Sequence, residues 1–362
     1  MSKKELFKRC ALCLMAGAIA LGAAACSGKG TAADDSAPTA SHPKTIDKLN
    51  VYFVPSKDPA QIVTATEPLK NLLKTELAKE YYNVNTVNIT VGTTYEAVGE
   101  ALSAGTADVG FIPGGTYVMY SDSADVILTA TRAGLDKNSD NAKDWNNGQP
   151  TQNTTDQVSF YRALIIAGPS AKGKALGAKV NAGQKLTFDD INSANWAVMS
   201  SSSSAGYIYP TLWLDNNYKK TITGLSHVVQ ADSYGSAFAR LASGQVDVLC
   251  TYADARLDYA KQWTSTFGRT ASIWDETNVI GVTSPIYNDT ISVSKTSKIM
   301  TSPFKKALQT AFINIGNSTE GKAVIAVYSH QGYKVAKSSD YDNERQAQKL
   351  LRQMTSSSAA SK

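Results

Sequence analysis

The chain is poor in the residues that build metal centres and hydrolytic active sites. It contains only three histidines and four cysteines among 362 residues. A hydrolytic triad needs a base beside its nucleophile, and none of His42, His227 and His330 is placed beside the run of serines at 200–204. A Gly-x-Ser-x-Gly turn, a Walker loop and a cluster of metal ligands are also lacking. We therefore expect no enzyme, no metal and no cofactor.

Clustered basic residues, which nucleic-acid binding usually needs, occur only at the N-terminus. Four of the first nine residues are Lys or Arg, and an apolar run at 11–25 follows, too short to span a bilayer comfortably. The run ends in small residues directly before Cys26. This layout predicts a signal peptide at 1–25, whose removal takes the formal charge from +5 to +2. It resembles a bacterial lipoprotein signal, with Cys26 as the lipidated residue, and ordinary secretion is the alternative.

Residues 26–45 are mostly Gly, Ser, Thr, Ala, Asp and Pro without hydrophobic periodicity. Such a segment buries too little apolar surface to offset the entropy of ordering, so we predict a flexible tether. Residues 355–362 have a similar composition and are predicted to form a disordered tail. Cys250 is the one cysteine beyond the tether, and its apolar surroundings at 246–250 predict a buried strand residue.

Between the tether and the tail, short β-branched runs alternate with amphipathic stretches, which predicts an α/β fold. The length of roughly 310 residues suits two domains. Residues 95–109 and 234–248 share a pattern of Tyr, a short helix, a glycine turn and a strand, which indicates two similar lobes. The polar stretch 145–157 is predicted as a surface loop, and 320–330 as a helix.

Four segments in one order carry a family resemblance: 95–115, 200–210, 232–254 and 284–289. Over 49–342 the chain resembles the phosphate/phosphite/phosphonate family of ABC-transporter substrate-binding proteins. The resemblance implies a type II periplasmic-binding-protein fold, in which two α/β lobes are joined by two crossing strands and hold the ligand in an interlobe cleft. The implied lobes are 46–161 with 285–354, and 162–284; the implied crossing strands are 160–167 and 287–293.

The same resemblance implies an extracytoplasmic solute-binding lipoprotein of an ABC importer. It would capture a small phosphorus oxyanion (phosphonate, phosphite or phosphate) and deliver it to a permease. The implied partners are that ligand, the permease and the membrane through a lipid on Cys26, and the expected state is a monomer. Two alternatives stay open: the same fold binding another organic solute, such as a sulfonate or a thiamine precursor, and a surface receptor that does not transport.

Five serines at 200–204 lie between a predicted strand and a predicted helix. The first N–H groups of a helix have no internal partner and carry partial positive charge, so this is a favourable place for an anion. We predict ligand contacts from Ser201, Ser202, Ser203 and Ser204. The resemblance implies a Ser-Thr-Ser cradle whose first two positions fall on Ser203 and Ser204 and whose third falls on Ala205. A flexible serine loop is the alternative.

The remaining candidate ligand residues lie at predicted strand ends and helix starts: Tyr95, Tyr234, Asp254, Asp289, Gly114, Thr116 and Ser56. The two tyrosines serve either the ligand or structural packing. The resemblance implies that a carboxylate at the Asp254 position meets an amino group of the ligand, and that the Asp289 position lines the cleft. Asp254 as a helix N-cap and Asp289 as a turn residue are equally open.

Overall fold

The computed structural model describes residues 36–360, with side chains to residue 353. The predicted signal peptide, the predicted lipidation site Cys26 and the first half of the predicted tether, residues 26–35, lie outside these residues. In the described part of the chain, no helix is both long and apolar enough to cross a bilayer.

Fourteen strands occur in the described residues: β1 (Lys44–Phe53), β2 (Tyr82–Val91), β3 (Val109–Ile112), β4 (Ala124–Leu135), β5 (Asn153–Val158), β6 (Phe160–Tyr161), β7 (Ala163–Ala167), β8 (Trp196–Val198), β9 (Val228–Gln230), β10 (Val248–Tyr252), β11 (Asn278–Val282), β12 (Ile286–Tyr287), β13 (Thr290–Ser294) and β14 (Gly332–Val335).

Thirteen α-helices lie between or after them: α1 (Pro59–Thr66), α2 (Leu69–Lys79), α3 (Tyr95–Ala104), α4 (Gly114–Met119), α5 (Ala171–Asn181), α6 (Phe188–Asn192), α7 (Tyr209–Tyr218), α8 (Tyr234–Ser243), α9 (Ala255–Ser265), α10 (Ile273–Glu276), α11 (Ser302–Asn317), α12 (Thr319–Ile325) and α13 (Asp342–Ala360). A π-helical turn, Ser204–Ile208, precedes α7 directly.

The strands form two large sheets. The first has seven strands in the order β14-β4-β13-β3-β1-β2, with β5 paired to β4, and the second has five in the order β11-β7-β10-β8-β9. Strands β3 and β7 are buried along their whole length, as their unbroken apolar sequences require. We call the part built on the seven-stranded sheet the first lobe and the part built on the five-stranded sheet the second lobe.

The chain passes between the two sheets twice, through β6 and β12. These short strands pair antiparallel, with Ile286 opposite Tyr161 and Tyr287 opposite Phe160. Before them the chain runs in β5 or β11, and after them it runs in β7 or β13, so each crossing exchanges one sheet for the other. The expected α/β fold with two crossing strands is therefore the fold observed; the exact lobe boundaries stay a prediction.

The similarity between residues 95–109 and 234–248 corresponds to two equivalent units, one in each lobe. Helices α3 and α8 begin after the N-caps Thr94 and Ser233, whose hydroxyls accept backbone N–H groups of the first turn. They end at Gly105 (φ 74°) and Gly244 (φ 76°), in the left-handed region that glycine enters without steric cost. Both units thus place a tyrosine at the first position of a helix.

Three local predictions differ from the structure. The stretch predicted as a loop contains β5, because its exposed polar residues give no hydrophobic signal while their backbone pairs with the end of β4. The helix predicted over 320–330 stops early: α12 ends at Ile325, and Ser329 adopts a left-handed conformation, so His330 lies outside it. Helix α13 continues to Ala360 and includes residues 355–360 of the segment predicted as a tail.

Candidate functional site

A narrow cavity of about 50 Å³ lies where the two lobes meet. Its walls come from the ends of strands and the starts of helices in both lobes. Of the residues predicted from the sequence, five line it: Ser56, Tyr95, Ser203, Tyr234 and Asp289. Lys57, Arg132, His330 and three further tyrosines complete most of the polar lining.

Arg132, near the end of β4, is the central charged group of the cavity. Its Nη2 donates to Asp289 Oδ2 at 2.8 Å and its Nε donates to Asn288 Oδ1 at 2.7 Å. Burial of the guanidinium opposes its charge, but its interactions with Asp289, Tyr161 and Tyr252 together outweigh burial and raise the pKa of Arg132. The cavity therefore holds a permanent cation.

Asp289 lies between Arg132 and His330. Burial raises the pKa of its carboxyl, but the Arg132 charge and a hydrogen bond from His330, at 3.2 Å, outweigh burial and lower the pKa below its ordinary value. Burial lowers the pKa of His330 more than the carboxylate raises it, so this imidazole is neutral at pH 7. Asp289 is ionised and satisfied by protein groups, and it is more than a turn residue.

Five tyrosines surround these charges: Tyr95, Tyr161, Tyr234, Tyr252 and Tyr328. Burial is the main cause that raises the pKa of each hydroxyl, so all five remain protonated and able to donate hydrogen bonds at neutral pH. The Tyr328 hydroxyl donates to the Val54 carbonyl at 2.6 Å, and that of Tyr252 donates to Asp258 at 2.5 Å.

The serine run reaches the cavity at one serine. The Ser203 hydroxyl caps the π-helical turn by accepting the Gly206 N–H at 3.2 Å, and it lies 3.4 Å from the Tyr234 hydroxyl. Ala205, in the first turn, also lines the cavity. The helix start predicted from the sequence thus faces the cavity, with Ser203 as its side-chain hydroxyl.

The other serines of the run have different surroundings. Ser200 bonds to the Glu96 carboxylate, and Ser202 lies 3.1 Å from Thr116 Oγ1. Ser204 accepts the Gly115 N–H at 2.9 Å and donates to Glu344 Oε1 at 3.1 Å. Glu96, Thr116 and Gly115 belong to α3 and α4 of the first lobe, so these serines connect the second lobe to the first.

Ser201 is exposed and lines a separate surface groove beside Tyr207 and the middle of α13. Gly114 and Thr116 are buried in α4 and do not line the cavity. At Gly115 the serine loop comes so close that a Cβ would lie 2.5 Å from the Ser202 carbonyl. Thr116 therefore belongs to the contact between α4 and the serine run, whereas Gly114 lies against Tyr341 and Glu344.

Asp254 lies outside the cavity as well. Its carboxylate accepts the Arg256 N–H at 3.1 Å as the N-cap of α9, and forms an ion pair with Arg256 Nη2 at 2.8 Å. The two side chains are 0% and 1% exposed. The Thr151 hydroxyl donates to the same carboxylate at 2.8 Å. The structure thus surrounds Asp254 with protein partners.

Sequence reasoning missed Arg132, Lys57, Tyr252, Tyr328 and His330 as cavity residues. Arg132 follows a predicted strand, as Ser56 does, but a lone arginine in a polar stretch carries no motif. His330 was assigned to a helix that ends before it. The cavity is assembled from segments far apart in the chain, so only the fold brings these five together. In residues 36–360 there is no group of three or more side chains that could hold a metal.

A family model for the phosphonate periplasmic substrate-binding proteins of ABC transporters matches residues 51–341. Comparison with curated protein sequences finds no match. A similar solved structure is a phosphonate-transporter binding protein of Pseudomonas aeruginosa, with 12% identity, coverage of 85% of this chain and 88% of that chain, and a TM-score of 0.64. PhnD1 of Prochlorococcus marinus with methylphosphonate has 14% identity, coverage of 84% and 98%, and a TM-score of 0.59. The alkanesulfonate-binding protein SsuA of Xanthomonas axonopodis with MOPS has 11% identity, coverage of 86% and 94%, and a TM-score of 0.51.

At these identities the solved structures establish the fold, which is that of a type II periplasmic binding protein. The family model covers most of the chain and therefore establishes the family as well as the fold. The family consists of transporter substrate-binding proteins, which are extracytoplasmic and are not enzymes. The chain belongs to the family of phosphonate periplasmic substrate-binding proteins of ABC transporters.

Proposed function

We propose that this chain is a monomeric extracytoplasmic lipoprotein, anchored through Cys26, that captures a small phosphorus oxyanion and delivers it to the permease of an ABC importer. One observation carries the ligand assignment. A buried guanidinium, a serine hydroxyl at a helix start and several protonated tyrosine hydroxyls converge on a cavity of about 50 Å³. These groups are hydrogen-bond donors, and a tetrahedral oxyanion offers acceptors in several directions.

Each proposed ligand residue has a defined role. Arg132 supplies the positive charge, and Ser203 with the helix-start amides supplies neutral donors. Tyr95 and Tyr234 enclose the anion from the two lobes. Asp289 holds Arg132 in place through their 2.8 Å ion pair and lines the same wall.

Capture requires the lobes to close over the ligand, and contacts between the lobes support such a closed state. The Tyr234 N–H donates to the Ser56 carbonyl at 3.1 Å, and Lys57 of the first lobe pairs with Asp258 of the second at 2.9 Å. The ligand would shift the population toward this form by binding it more tightly than the open form.

A second candidate ligand class is the sulfonates. Arg132 is paired with Asp289, and Lys57 with Asp258, so the charges around the cavity nearly cancel. This balance favours a singly charged tetrahedral anion over a doubly charged one. A sulfonate meets that requirement, as does a singly protonated phosphonate, and the SsuA structure with MOPS shows a sulfonate on the same fold.

Calorimetric titration of the purified protein against phosphate, phosphite, methylphosphonate, methanesulfonate and a thiamine precursor tests the proposal. We expect tight binding of a phosphorus oxyanion and about tenfold weaker binding after Ser203→Ala, because one hydrogen bond to a charged ligand is lost. Ser201→Ala is the control, because Ser201 belongs to the same run of serines but is exposed outside the cavity. Equal losses of ligand affinity in the Ser201→Ala and Ser203→Ala proteins would contradict a ligand site at Ser203. Tight binding of methanesulfonate or the thiamine precursor alone would reject the phosphorus ligand.

Asp258→Ala is expected to weaken ligand binding by about tenfold, because Asp258 connects the lobes. Its carboxylate accepts hydrogen bonds from Lys57 and from Ser329 (3.0 Å), both of the first lobe, as well as from Tyr252. Burial raises the pKa of Asp258, but the Lys57 charge and these hydrogen bonds outweigh burial and lower it. The contacts are therefore present at neutral pH and are lost as pH falls through that lowered pKa.

The dissociation constant and the radius of gyration of the ligand-bound protein, from small-angle X-ray scattering, check this prediction. Asp125→Ala is a matched control, since Asp125 pairs with Lys305 at 2.6 Å within the first lobe. An Asp258→Ala protein that binds as tightly and closes as fully as the Asp125→Ala protein would contradict the role of this contact.

A further inference from the structure

Three carboxylates line this cavity or the neighbouring polar cavity, and each is paired with a cation of the protein itself. Asp289 pairs with Arg132 at 2.8 Å, and Asp258 pairs with Lys57 at 2.9 Å. Asp254, which borders a neighbouring polar cavity, pairs with Arg256 at 2.8 Å. A ligand ammonium group would need a carboxylate partner, and each of these three already has one.

The side chain of Arg132 occupies a position suited to a ligand cation. Its guanidinium carbon lies 4.3 Å from the centre of the Tyr161 ring and 5.6 Å from that of the Tyr252 ring. Tyrosine faces beside a carboxylate are the surroundings in which proteins hold alkylammonium ligands. In this protein the Arg132 guanidinium occupies that position, beside the two tyrosine rings and the Asp289 carboxylate.

Arg132 also keeps donor capacity for an anion. Its Nε and Nη2 donate to Asn288 and Asp289, while its Nη1 has no hydrogen-bond partner among the described residues. The remaining cavity of about 50 Å³ corresponds to roughly three to five water molecules. That space fits a tetrahedral head group with a very small substituent.

We propose that Arg132 is a built-in counter-cation that determines the substrate class: small tetrahedral oxyanions without an amino group, with zwitterionic aminoalkyl phosphonates excluded. The inference rests on the proposed function, because it names the ligand class of the same cavity. A zwitterionic ligand would bring its ammonium group against the guanidinium, and like charges in a buried site repel strongly. The residue that attracts the head group is thus also the residue that rejects the amine.

The test compares three phosphonates by calorimetric titration of the wild-type protein and of Arg132→Ala. Methylphosphonate is the small ligand; 2-aminoethylphosphonate and propylphosphonate have equally long substituents and differ in the charge of the terminal group. In the wild type we expect methylphosphonate to bind most tightly, and propylphosphonate to bind at least about tenfold more tightly than 2-aminoethylphosphonate. Arg132→Ala should lose about 100-fold in methylphosphonate affinity and should now prefer 2-aminoethylphosphonate, since Asp289 and the tyrosine faces become free to hold an ammonium group.

Two further measurements keep the inference falsifiable if Arg132→Ala folds poorly. The double variant Arg132→Ala with Asp289→Asn removes both charges and should bind none of the three phosphonates well. Added guanidinium should partly restore methylphosphonate binding to the single variant Arg132→Ala. Arg269→Ala is the matched control, because Arg269 forms an ion pair with Glu276 away from the cavity.

The outcomes separate the inference from the proposed function. Wild-type protein that prefers 2-aminoethylphosphonate to propylphosphonate, or an Arg132→Ala protein that keeps the wild-type order of ligands, overturns the counter-cation while leaving phosphonate capture intact. Wild-type protein that binds none of the three phosphonates overturns both.

Discussion

Replacement of Asp254 by alanine is expected to lower the free energy of unfolding by about 3–5 kcal/mol, because it leaves the Arg256 charge buried without its partner. The pair is almost inaccessible to water, with side chains 0% and 1% exposed. Among residues 36–353, the further contacts of the Arg256 guanidinium are the Trp145 carbonyl at 3.3 Å and the face of the Trp274 ring, 4.5 Å away. Urea denaturation followed by tryptophan fluorescence measures the loss.

A double variant, Asp254→Leu with Arg256→Met, provides the control for this prediction. It removes both charges and keeps apolar volume, so most of the stability should return. The ligand affinity of the folded fraction of Asp254→Ala should stay near the wild-type value. A stable Asp254→Ala protein that has lost ligand affinity would instead support the alternative in which this carboxylate contacts the ligand.

Glu344→Gln is expected to stabilise the protein by about 3 kcal/mol above pH 8 and to have little effect at pH 4. Burial raises the pKa of the Glu344 carboxyl to about 7, more than its hydrogen bonds with Ser204 and Tyr209 lower it. The titratable groups that interact with the Glu344 carboxyl are the hydroxyls of Tyr209 and Tyr161, and both remain neutral at these pH values. The folded protein thus holds a proton on Glu344 that the unfolded chain releases near pH 4.5.

The sign of the pH dependence follows from this difference. The stability associated with Glu344 is fully present below the unfolded pKa of 4.5 and is lost as pH rises through the folded pKa of about 7. Glutamine stays neutral, so the stability curves of the two proteins should diverge across this range. Glu320→Gln, at an exposed position of α12, is the matched control. Parallel stability curves for wild type and Glu344→Gln from pH 4 to pH 9 would contradict a buried, protonated Glu344.

The contact that Glu344 makes also relates to closure. Its partner Ser204 accepts the Gly115 N–H from the first lobe while belonging to the second. Because deprotonation destabilises a buried carboxyl, the link between α13, α4 and the serine run should weaken in alkaline solution. Asp258 responds in the opposite direction, since its contacts are lost in acid. Closure should therefore be most favourable between the two transitions.

The serine run shows which features the local sequence determines and which only the tertiary structure determines. The strand, the serines and the following helix were predictable, because apolar runs and helix-start signals depend on neighbours in the chain. The direction in which each serine points was not. Ser203 faces the cavity while Ser202 and Ser204 contact the first lobe, and this division depends on how closely α4 approaches at Gly115.

Asp254 and Asp289 show that charge pairing could not be predicted from the sequence either. Asp254 and Asp289 were recognised as carboxylates near a cleft, with their partners unknown. Arg256 is only two residues from Asp254, but Arg132 is 157 residues from Asp289, and only the crossing of the chain between the sheets brings those two together. The sequence therefore left open whether the ligand must supply a cation.

By itself the sequence determined the family, the two-lobed α/β fold and the tyrosines at the starts of α3 and α8, since each of these depends on local patterns of a few to about twenty residues. Only the tertiary structure decided the chemistry of the cavity: Arg132 as its cation, Lys57 and His330 in its lining, and Ser203 as the serine of the 200–204 run that reaches it. The physical reason is that charge pairing and burial act between residues that are near in space, and in this protein those residues are far apart along the chain.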